Sequence, residues 1–281
     1  MLRRVLASLA ALALLVTVAG PAGAIQYGRP DGNGHPYVGL VVFHNSNHVP
    51  LWRCTGTLLS ETVVLSAGHC TGTDGTTAPR YAVLYFDAGP IPNGNYPFNG
   101  TPCTGYTGYP CTGDATGTPH PNPGWNGALT IPNTHDVGVI VLDRPYTATN
   151  GHFGALPREG MLDTLARQRG LQDVTMTIVG YGVQSEKPTL ISIKQRFVAN
   201  AKIVSLKSAL TDGFNVRLSS NPGVVSGGTC FGDSGGPIFY NNTNIIVAVN
   251  SFVLNLNCKG SGYGFRVDTH ASLQFIGGFL D

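Results

Sequence analysis

Short apolar runs, rich in β-branched residues, alternate with clusters of Gly, Pro, Asn and Thr along most of the chain. Runs of this kind between turn residues predict β-strands, and their number is typical of an all-β sandwich or barrel rather than of a helical protein. The runs fall into two sets. The first set predicts strands at 38–43, 54–59, 62–66, 80–86 and 137–142. The second set predicts strands at 174–181, 195–204, 214–218, 237–240, 245–252 and 263–267.

Two connecting segments and the C-terminal end complete this layout. Residues 153–172 would link the two sets of strands. Residues 87–130 are dense in Pro, Gly, Asn and Thr and are longer than the usual connection in a compact domain. We interpret them as an inert or stabilising insertion, with a substrate-facing lid or a partner-binding loop as the alternatives. Near the C-terminus, Leu273, Ile276 and Leu280 recur at helical spacing, which predicts a short closing helix.

The first 24 residues have the pattern of a secretory signal peptide. Arg3 and Arg4 form a basic start, residues 5–18 are almost wholly apolar, and small residues end the segment at 22–24. An uncleaved membrane anchor is the alternative, but the apolar run is shorter than the ~20 residues needed to cross hydrocarbon. We therefore expect a secreted, extracellular protein without stable membrane association.

Composition narrows the range of partners and of stabilising devices. Charged residues make up 11% of the chain and the formal net charge is +2. The chain therefore lacks the strong field that attracts nucleic acid or anionic membranes. A chain of 281 residues is long enough for one large β domain or two small ones. Six cysteines behind a signal peptide predict three disulfides, for which the sequence alone allows about fifteen pairings. A zinc site is the alternative, but no Cys-x-x-Cys pair is present.

A serine near the end of the chain lies on a glycine-flanked turn, Gly-Asp-Ser-Gly-Gly-Pro at 232–237. A serine hydroxyl is a weak nucleophile at neutral pH, so it needs a general base and a group that orients the base. His69 is the candidate base, within Leu-Ser-Ala-Gly-His-Cys, and Asp136 is the candidate orienting group, at the start of an apolar run of strand type. Together with Ser234 they predict a nucleophilic hydrolase.

These motifs, with Asp-Arg-Pro at 143–145 and Gly-Tyr-Gly at 180–182, resemble those of the chymotrypsin-fold (trypsin-like) serine endopeptidases of the secreted bacterial type. The resemblance extends over nearly the whole chain after the signal peptide. It rests on the order His69, Asp136, Ser234 and on the residues that flank each of them. Each motif alone is only moderately specific, but their joint occurrence in this order is hard to obtain by chance.

The resemblance implies an architecture. It implies two antiparallel six-stranded β-barrels of the chymotrypsin type, followed by a short C-terminal helix. The N-terminal barrel would occupy 25–155 and carry His69 and Asp136, and the C-terminal barrel would occupy 156–281 and carry Ser234. The resemblance also implies three disulfides: Cys54–Cys70, Cys230–Cys258 and, inside the insertion, Cys103–Cys111.

The resemblance also implies the role of each site residue. Ser234 would attack the peptide carbonyl, His69 would take the proton and pass it to the leaving amine, and Asp136 would orient the imidazole. The backbone N–H groups of Gly232 and Ser234 would form the oxyanion hole. No metal or cofactor is required by this chemistry.

An activating N-terminus is implied in the same way. In the family, a free α-ammonium pairs with the aspartate before the serine, here Asp233. Ile25 directly follows the small residues at 22–24, so we expect removal of the signal peptide to create this N-terminus without a separate zymogen step. Cleavage at a displaced site, with activation by another protease, is the alternative.

By the same resemblance, the substrate pocket would be formed by five residues: Gly228, Thr229, Ser251, Phe252 and Val253. Gly228 stands where tryptic members carry Asp, so we expect no preference for Arg or Lys before the scissile bond. Val253 replaces a glycine that is common there, and its branched side chain should shorten the pocket. Small or medium apolar side chains are therefore the expected substrates.

Two other classes of function are compatible with parts of these motifs. An α/β-hydrolase esterase also carries Gly-x-Ser-x-Gly, and Asp268 and His270 follow Ser234 in the order that fold requires. The chain, however, lacks the alternating strands and helices of a parallel sheet. The second alternative is a catalytically inactive binding protein on a protease scaffold, although no triad residue is replaced. Expected partners are polypeptide substrates and protein inhibitors, and we expect a monomer.

Overall fold

A computed structural model describes residues 25–94, 108–110, 112–168, 170, 174–221, 225 and 227–280. The predicted signal peptide and the predicted Cys103–Cys111 bridge lie outside the described residues. Within them the chain forms thirteen strands and three short helices. None of these helices is long and apolar enough to cross a membrane.

Six strands close the first barrel. Along the barrel wall their order is β2, β3, β4, β7, β6, β5, and β5 pairs back onto β2, with all neighbours antiparallel. The strands are β2 (Val38–His44), β3 (Pro50–Leu58), β4 (Val63–Ser66), β5 (Tyr81–Tyr85), β6 (Ala115–Pro121) and β7 (Gly138–Leu142). Every residue of β2 is buried, because one face fills the barrel and the other is covered by neighbouring segments.

A second closed barrel follows. Its order is β8, β9, β10, β13, β12, β11, and β11 pairs with β8, again antiparallel throughout. The strands are β8 (Thr175–Gly180), β9 (Phe197–Ser205), β10 (Asn215–Ser219), β11 (Pro237–Tyr240), β12 (Ile246–Val253) and β13 (Ser261–Arg266). A short β1 (Arg29–Pro30) adds to the outside of β9. The prediction of two antiparallel six-stranded barrels is confirmed.

One barrel strand lies within the segment that the sequence predicted as an insertion. Strand β6 has the sequence Ala-Thr-Gly-Thr-Pro-His-Pro, without an apolar alternation, and pairs with both β5 and β7. The segment 87–130 is therefore not wholly an insertion, because its later part closes the first barrel. Gly117 permits this closure, since a Cβ there would lie 3.0 Å from the backbone of Leu142.

The three helices are α1 (Gly68–Thr71), α2 (Met161–Arg167) and α3 (His270–Gly277). The predicted C-terminal helix is α3, which begins after Thr269, whose hydroxyl accepts a hydrogen bond from the backbone N–H of Ser272 at 3.2 Å. Helix α2 was not predicted and lies in the segment between the barrels. Its residues Leu162 and Leu165 are buried in the core of the second barrel.

The two barrels share a continuous apolar core. The cluster that fills the first barrel also contains Phe239, Val249 and Phe265 of the second. Arg196, fully buried just before β9, adds polar links across the same boundary. Its Nη1 donates to the carbonyl oxygens of Val38 (2.9 Å) and Phe86 (3.0 Å) in the first barrel. The cleft between the barrels is thus held in a defined geometry.

Candidate active site

The turn that carries Ser234 is shaped by glycines and by hydrogen bonds to both barrels. Gly232 and Gly235 have φ angles of +95° and +76°, a region that side-chain-bearing residues rarely adopt. The backbone N–H of Gly235 donates to the carbonyl oxygen of Asn250 in β12 (2.8 Å), and the N–H of Thr55 in β3 donates to the carbonyl oxygen of Ser234 (2.8 Å). A single turn is therefore fixed from two sides.

Strand register places His69 beside Asp136. Strand β4 pairs with β7 so that Ser66 is opposite Gly138, and the chain then turns into α1, which carries His69. Imidazole Nδ1 lies 2.9 Å from Oδ2 and 3.0 Å from Oδ1 of Asp136, and the backbone N–H of His69 donates to Oδ1 at 2.7 Å. Gly68 allows the close approach, because a Cβ there would be 3.0 Å from the carbonyl oxygen of His135.

The electrostatics of this pair favour a charged imidazole and an ionised carboxylate. Burial disfavours the charged form of His69, but the Asp136 carboxylate outweighs it and raises the pKa of His69 above its usual value. Burial likewise opposes ionisation of Asp136, yet the charge and hydrogen bonds of His69 lower the pKa of that carboxyl. The hydroxyl of Ser251 also donates to Asp136 Oδ2. The sequence did not predict this contact, since Ser251 was assigned only to the substrate pocket.

A cavity of about 260 Å³ brings His69 and Ser234 together between the barrels. Asp136 lies behind His69 and is fully buried. No hydrogen bond joins the Ser234 hydroxyl to the imidazole, and both residues are described. Such contacts are often long in unliganded enzymes and shorten when substrate binds. The remaining lining residues are Leu129, Thr229, Cys230, Phe231, Asn250, Ser251, Phe252 and Val253.

Two backbone donors of the serine turn have no acceptor among the residues that the structure describes. Within the described part of the chain, the N–H groups of Gly232 and Ser234 donate to no protein acceptor, whereas that of Asp233 donates to the carbonyl oxygen of Cys230 (3.1 Å). Unsatisfied N–H groups are costly unless water or a ligand accepts from them. The predicted oxyanion donors are therefore available to a bound oxygen.

Asp233 is fully buried on the other side of the turn. Its carboxylate accepts hydrogen bonds from the backbone N–H groups of Gly182 (2.8 Å) and Cys230 (2.9 Å), and no ion pair reaches it from another described residue. Burial raises the pKa of Asp233 to about 7. Ile25, its predicted partner, is fully buried in the core of the second barrel.

The predicted pocket residues are only partly brought together. Thr229, Ser251, Phe252 and Val253 line the cavity, but Gly228 does not. Gly228 packs against Ser220 instead, and a Cβ at Gly228 would collide with that side chain. The ring of Phe252 stacks on the ring of Tyr263, with centroids 4.5 Å apart.

The sequence missed two apolar residues of the cleft. Phe231 and Leu129 line the cavity and are 42% and 40% exposed. Leu129 comes from the segment predicted to be inert, and Trp125 in the same segment lies 6.2 Å from the His69 ring, centroid to centroid. The end of that segment therefore faces the cleft. Its apolar residues, which stand among many Gly and Pro, were the sequence feature that could have indicated a place in the cleft.

The described cysteines form two disulfides, Cys54–Cys70 and Cys230–Cys258, as predicted. The first flanks His69 and the second flanks the serine turn. Among the described residues, the Cys54, His69 and Cys70 ligand atoms lie within 4.8 Å of one another. Because both cysteines are oxidised, they offer no thiolate and the group does not form a zinc site.

Two six-stranded antiparallel barrels with this cleft between them define a chymotrypsin-like fold. The chain belongs to the trypsin family, whose sequence model matches residues 117–276. It therefore has the fold of a trypsin-like serine protease.

Solved structures with the same fold are only distantly similar in sequence. One is a structure described as HL collagenase, with a TM-score of 0.64, 18% identity, and coverage of 90% of this chain and 99% of the collagenase. The protease Anisep from Arthrobacter nicotinovorans has a TM-score of 0.57 and 14% identity, with coverage of 88% and 96%. Human heparin binding protein has a TM-score of 0.56 and 19% identity, with coverage of 91% and 96%. No protein of curated function matches the sequence.

Proposed function

We propose that the protein is a secreted serine endopeptidase that hydrolyses peptide bonds through an acyl-enzyme formed on Ser234. The observation that carries the proposal is that His69, paired with the buried Asp136, lines the same cavity as Ser234, whose turn has two backbone N–H groups without an acceptor among the described residues. A nucleophile, a base, an orienting carboxylate and an oxyanion site are the parts that acyl transfer needs.

The chemistry follows from these positions. His69 accepts the hydroxyl proton as Ser234 attacks the peptide carbonyl, and Asp136 stabilises the imidazolium that forms. The carbonyl oxygen becomes negative and accepts hydrogen bonds from the N–H groups of Gly232 and Ser234, each worth about 2.7–4 kcal/mol in the transition state. The imidazolium then protonates the departing amine. The C–N bond breaks and the acyl group remains on Ser234 as an ester. Water, deprotonated by His69, then attacks this ester, which releases the acid and regenerates Ser234.

The cavity favours apolar side chains before the scissile bond. Phe231, Phe252, Val253 and Leu129 line it, and no Asp or Glu among the described residues does. An Arg or Lys side chain would enter without an ion-pair partner and would lose its hydration. Cleavage after small or medium apolar residues is the consequence, and profiling with a peptide library tests it.

A free N-terminus at Ile25 would activate the enzyme by providing a cation for Asp233. The buried Asp233 carboxyl has a raised pKa and no charged partner within ion-pair distance among the described residues. An α-ammonium there would favour its ionised form. Extending the mature chain by one residue before Ile25 should then sharply reduce activity, and full activity of the extended form would refute this step.

Labelling with a fluorophosphonate tests the proposal as a whole. We expect one adduct on Ser234 in the secreted protein and none in Ser234→Ala, read by intact and peptide mass spectrometry. Absence of an adduct on a chain that begins at Ile25 would favour the inactive-scaffold alternative. Absence on a longer chain would instead indicate an unprocessed zymogen.

The esterase alternative does not fit the fold. An α/β-hydrolase has a mostly parallel sheet, whereas every strand pair of both barrels is antiparallel. Asp268, one proposed partner, is buried in an ion pair with Arg266, and His270 is exposed beside Glu159. Neither residue lines the cavity of Ser234.

A further inference from the structure

Thr55, in strand β3 of the first barrel, makes four hydrogen bonds, two of which reach the serine turn of the second barrel. Its side chain is fully buried. The hydroxyl donates to the carbonyl oxygen of Gly232 (2.9 Å) and accepts from the backbone N–H of Tyr181 (3.1 Å). The backbone N–H donates to the carbonyl oxygen of Ser234 (2.8 Å), and the carbonyl oxygen accepts from Ser66 Oγ (2.9 Å).

The Thr55 bonds act at the centre of the turn, alongside the contacts of Gly235 with Asn250 and of Asp233 with Gly182 and Cys230. Gly232 has no side chain and a φ of +95°, so sterics do not restrict it to one conformation. Thr55 holds the carbonyls of both Gly232 and Ser234. The Gly232 carbonyl belongs to the peptide before the Asp233–Ser234 peptide, and the Ser234 carbonyl belongs to the peptide after it. The Asp233–Ser234 peptide carries the N–H of Ser234, which has no acceptor among the described residues.

The hydroxyl of Thr55 also joins three segments that are distant in sequence. It links β3 to the serine turn and to the Gly-Tyr-Gly segment that surrounds the Asp233 carboxylate. A hydroxyl has one donor and can accept as well, and here both functions are used. Its loss would leave a buried carbonyl and a buried N–H without this partner, which is costly.

We propose that Thr55 is a positioning residue that holds the two oxyanion donors of the serine turn in their productive orientation. The proposal rests on the proposed peptidase function. It predicts that the hydroxyl contributes mainly to kcat, because the donors act on the oxygen only when it becomes negative.

The same strand provides a matched control. Thr57 lies two residues further along β3 and is 1% exposed. Its hydroxyl is buried and has no hydrogen-bond partner within the described part of the chain. Replacing either threonine with alanine removes the same atoms from the same strand, but only Thr55→Ala removes the side-chain hydrogen bonds to Gly232 and Tyr181, while the backbone bond to Ser234 remains.

The experiment compares Thr55→Ala, Thr55→Ser and Thr57→Ala. We expect Thr55→Ala to lower kcat by about 10- to 100-fold with KM changed less than about twofold, as for other small displacements of catalytic groups. Thr55→Ser should recover most of kcat, and Thr57→Ala should retain it. Equal kcat values in both alanine variants, or no recovery with serine, would overturn the proposal.

Amide hydrogen exchange provides a readout that does not depend on activity. Thr55→Ala should accelerate exchange at Tyr181 and in the turn 230–236, whereas Thr57→Ala should not. If the wild-type protein proves inactive, the proposed peptidase function fails, but the exchange comparison still decides whether Thr55 orders the turn. Unchanged exchange at both places in Thr55→Ala would refute the positioning role.

Discussion

Buried Arg196, through its ion pair with Asp31 and its hydrogen bonds to Val38 and Phe86, offers a direct test of what stabilises the boundary between the barrels. The guanidinium Nε donates to Asp31 Oδ2 at 2.9 Å, and the two side chains are 0% and 2% exposed. Further donors bind the carbonyl oxygens of Val38, Phe86 and Gly32. Arg196→Met keeps the apolar stem but removes the charge and every one of these hydrogen bonds.

Removing one partner of a buried ion pair costs about 3–5 kcal/mol, because the other charge is left uncompensated. Total stabilities are about 5–15 kcal/mol, so Arg196→Met should lose a large part of the free energy of unfolding. At about 2–4 °C per kcal/mol, the melting temperature should fall by roughly 6–20 °C. Asp31→Asn should cost less, since Arg196 retains its carbonyl acceptors.

Urea unfolding followed by tryptophan fluorescence measures these changes, with the exposed Arg158→Met as control. In the double variant Arg196→Met/Asp31→Asn, the loss of unfolding free energy should be smaller than the sum of the losses in the two single variants by more than about 1 kcal/mol. A loss below about 1 kcal/mol in Arg196→Met, or strict additivity, would refute the view that the buried Arg196–Asp31 pair stabilises the fold.

Three further predictions concern the site. Because Asp136 raises the pKa of His69, His69 should become the neutral base only above the usual imidazole pKa of about 6.5. In a pH–rate profile, the acid limb of kcat/KM should therefore lie above that pH, and Asp136→Asn should move the limb to lower pH. Leu129→Ala should lower kcat/KM about fivefold for apolar peptides, since about 1 kcal/mol of apolar burial is lost. Leu190 is exposed and outside the cavity, so Leu190→Ala should leave kcat/KM unchanged. Equal rates for the two variants would contradict the placement of Leu129 in the cleft. Gly235→Ala should abolish fluorophosphonate labelling, because its Cβ would lie 2.7 Å from the carbonyl oxygen of Thr55 at a φ of +76°; normal labelling would contradict this.

The strands of the second barrel and most of the first could be predicted because their residues are apolar and β-branched between turn signals. Strand β6 could not, since its Gly, Pro and Thr carry no alternation and its place depends on pairing with β5 and β7. Helix α2 was missed for a similar reason, because only Leu162 and Leu165 of this short element are buried.

The proposed catalytic residues were found from local motifs, because their chemistry needs specific neighbours in sequence. The residues around them were harder to predict. The contact from Ser251 to Asp136 spans 115 positions and the Arg196–Asp31 pair spans 165. Such partners are brought together only by barrel closure, and no local pattern marks them. The packing of Gly228 against Ser220, outside the cavity lining, depends in the same way on contacts distant in sequence.

Both described disulfides close loops within a single barrel, so no described covalent bond other than the main chain connects the two halves. A single cut in the connection between β7 and β8 would leave two fragments joined only by the shared core and by bonds such as those of Arg196 and Thr55. One fragment would carry His69 and Asp136, and the other Ser234. Under the proposed function neither fragment would react alone, and recovery of labelling on mixing would measure the association of the two barrels.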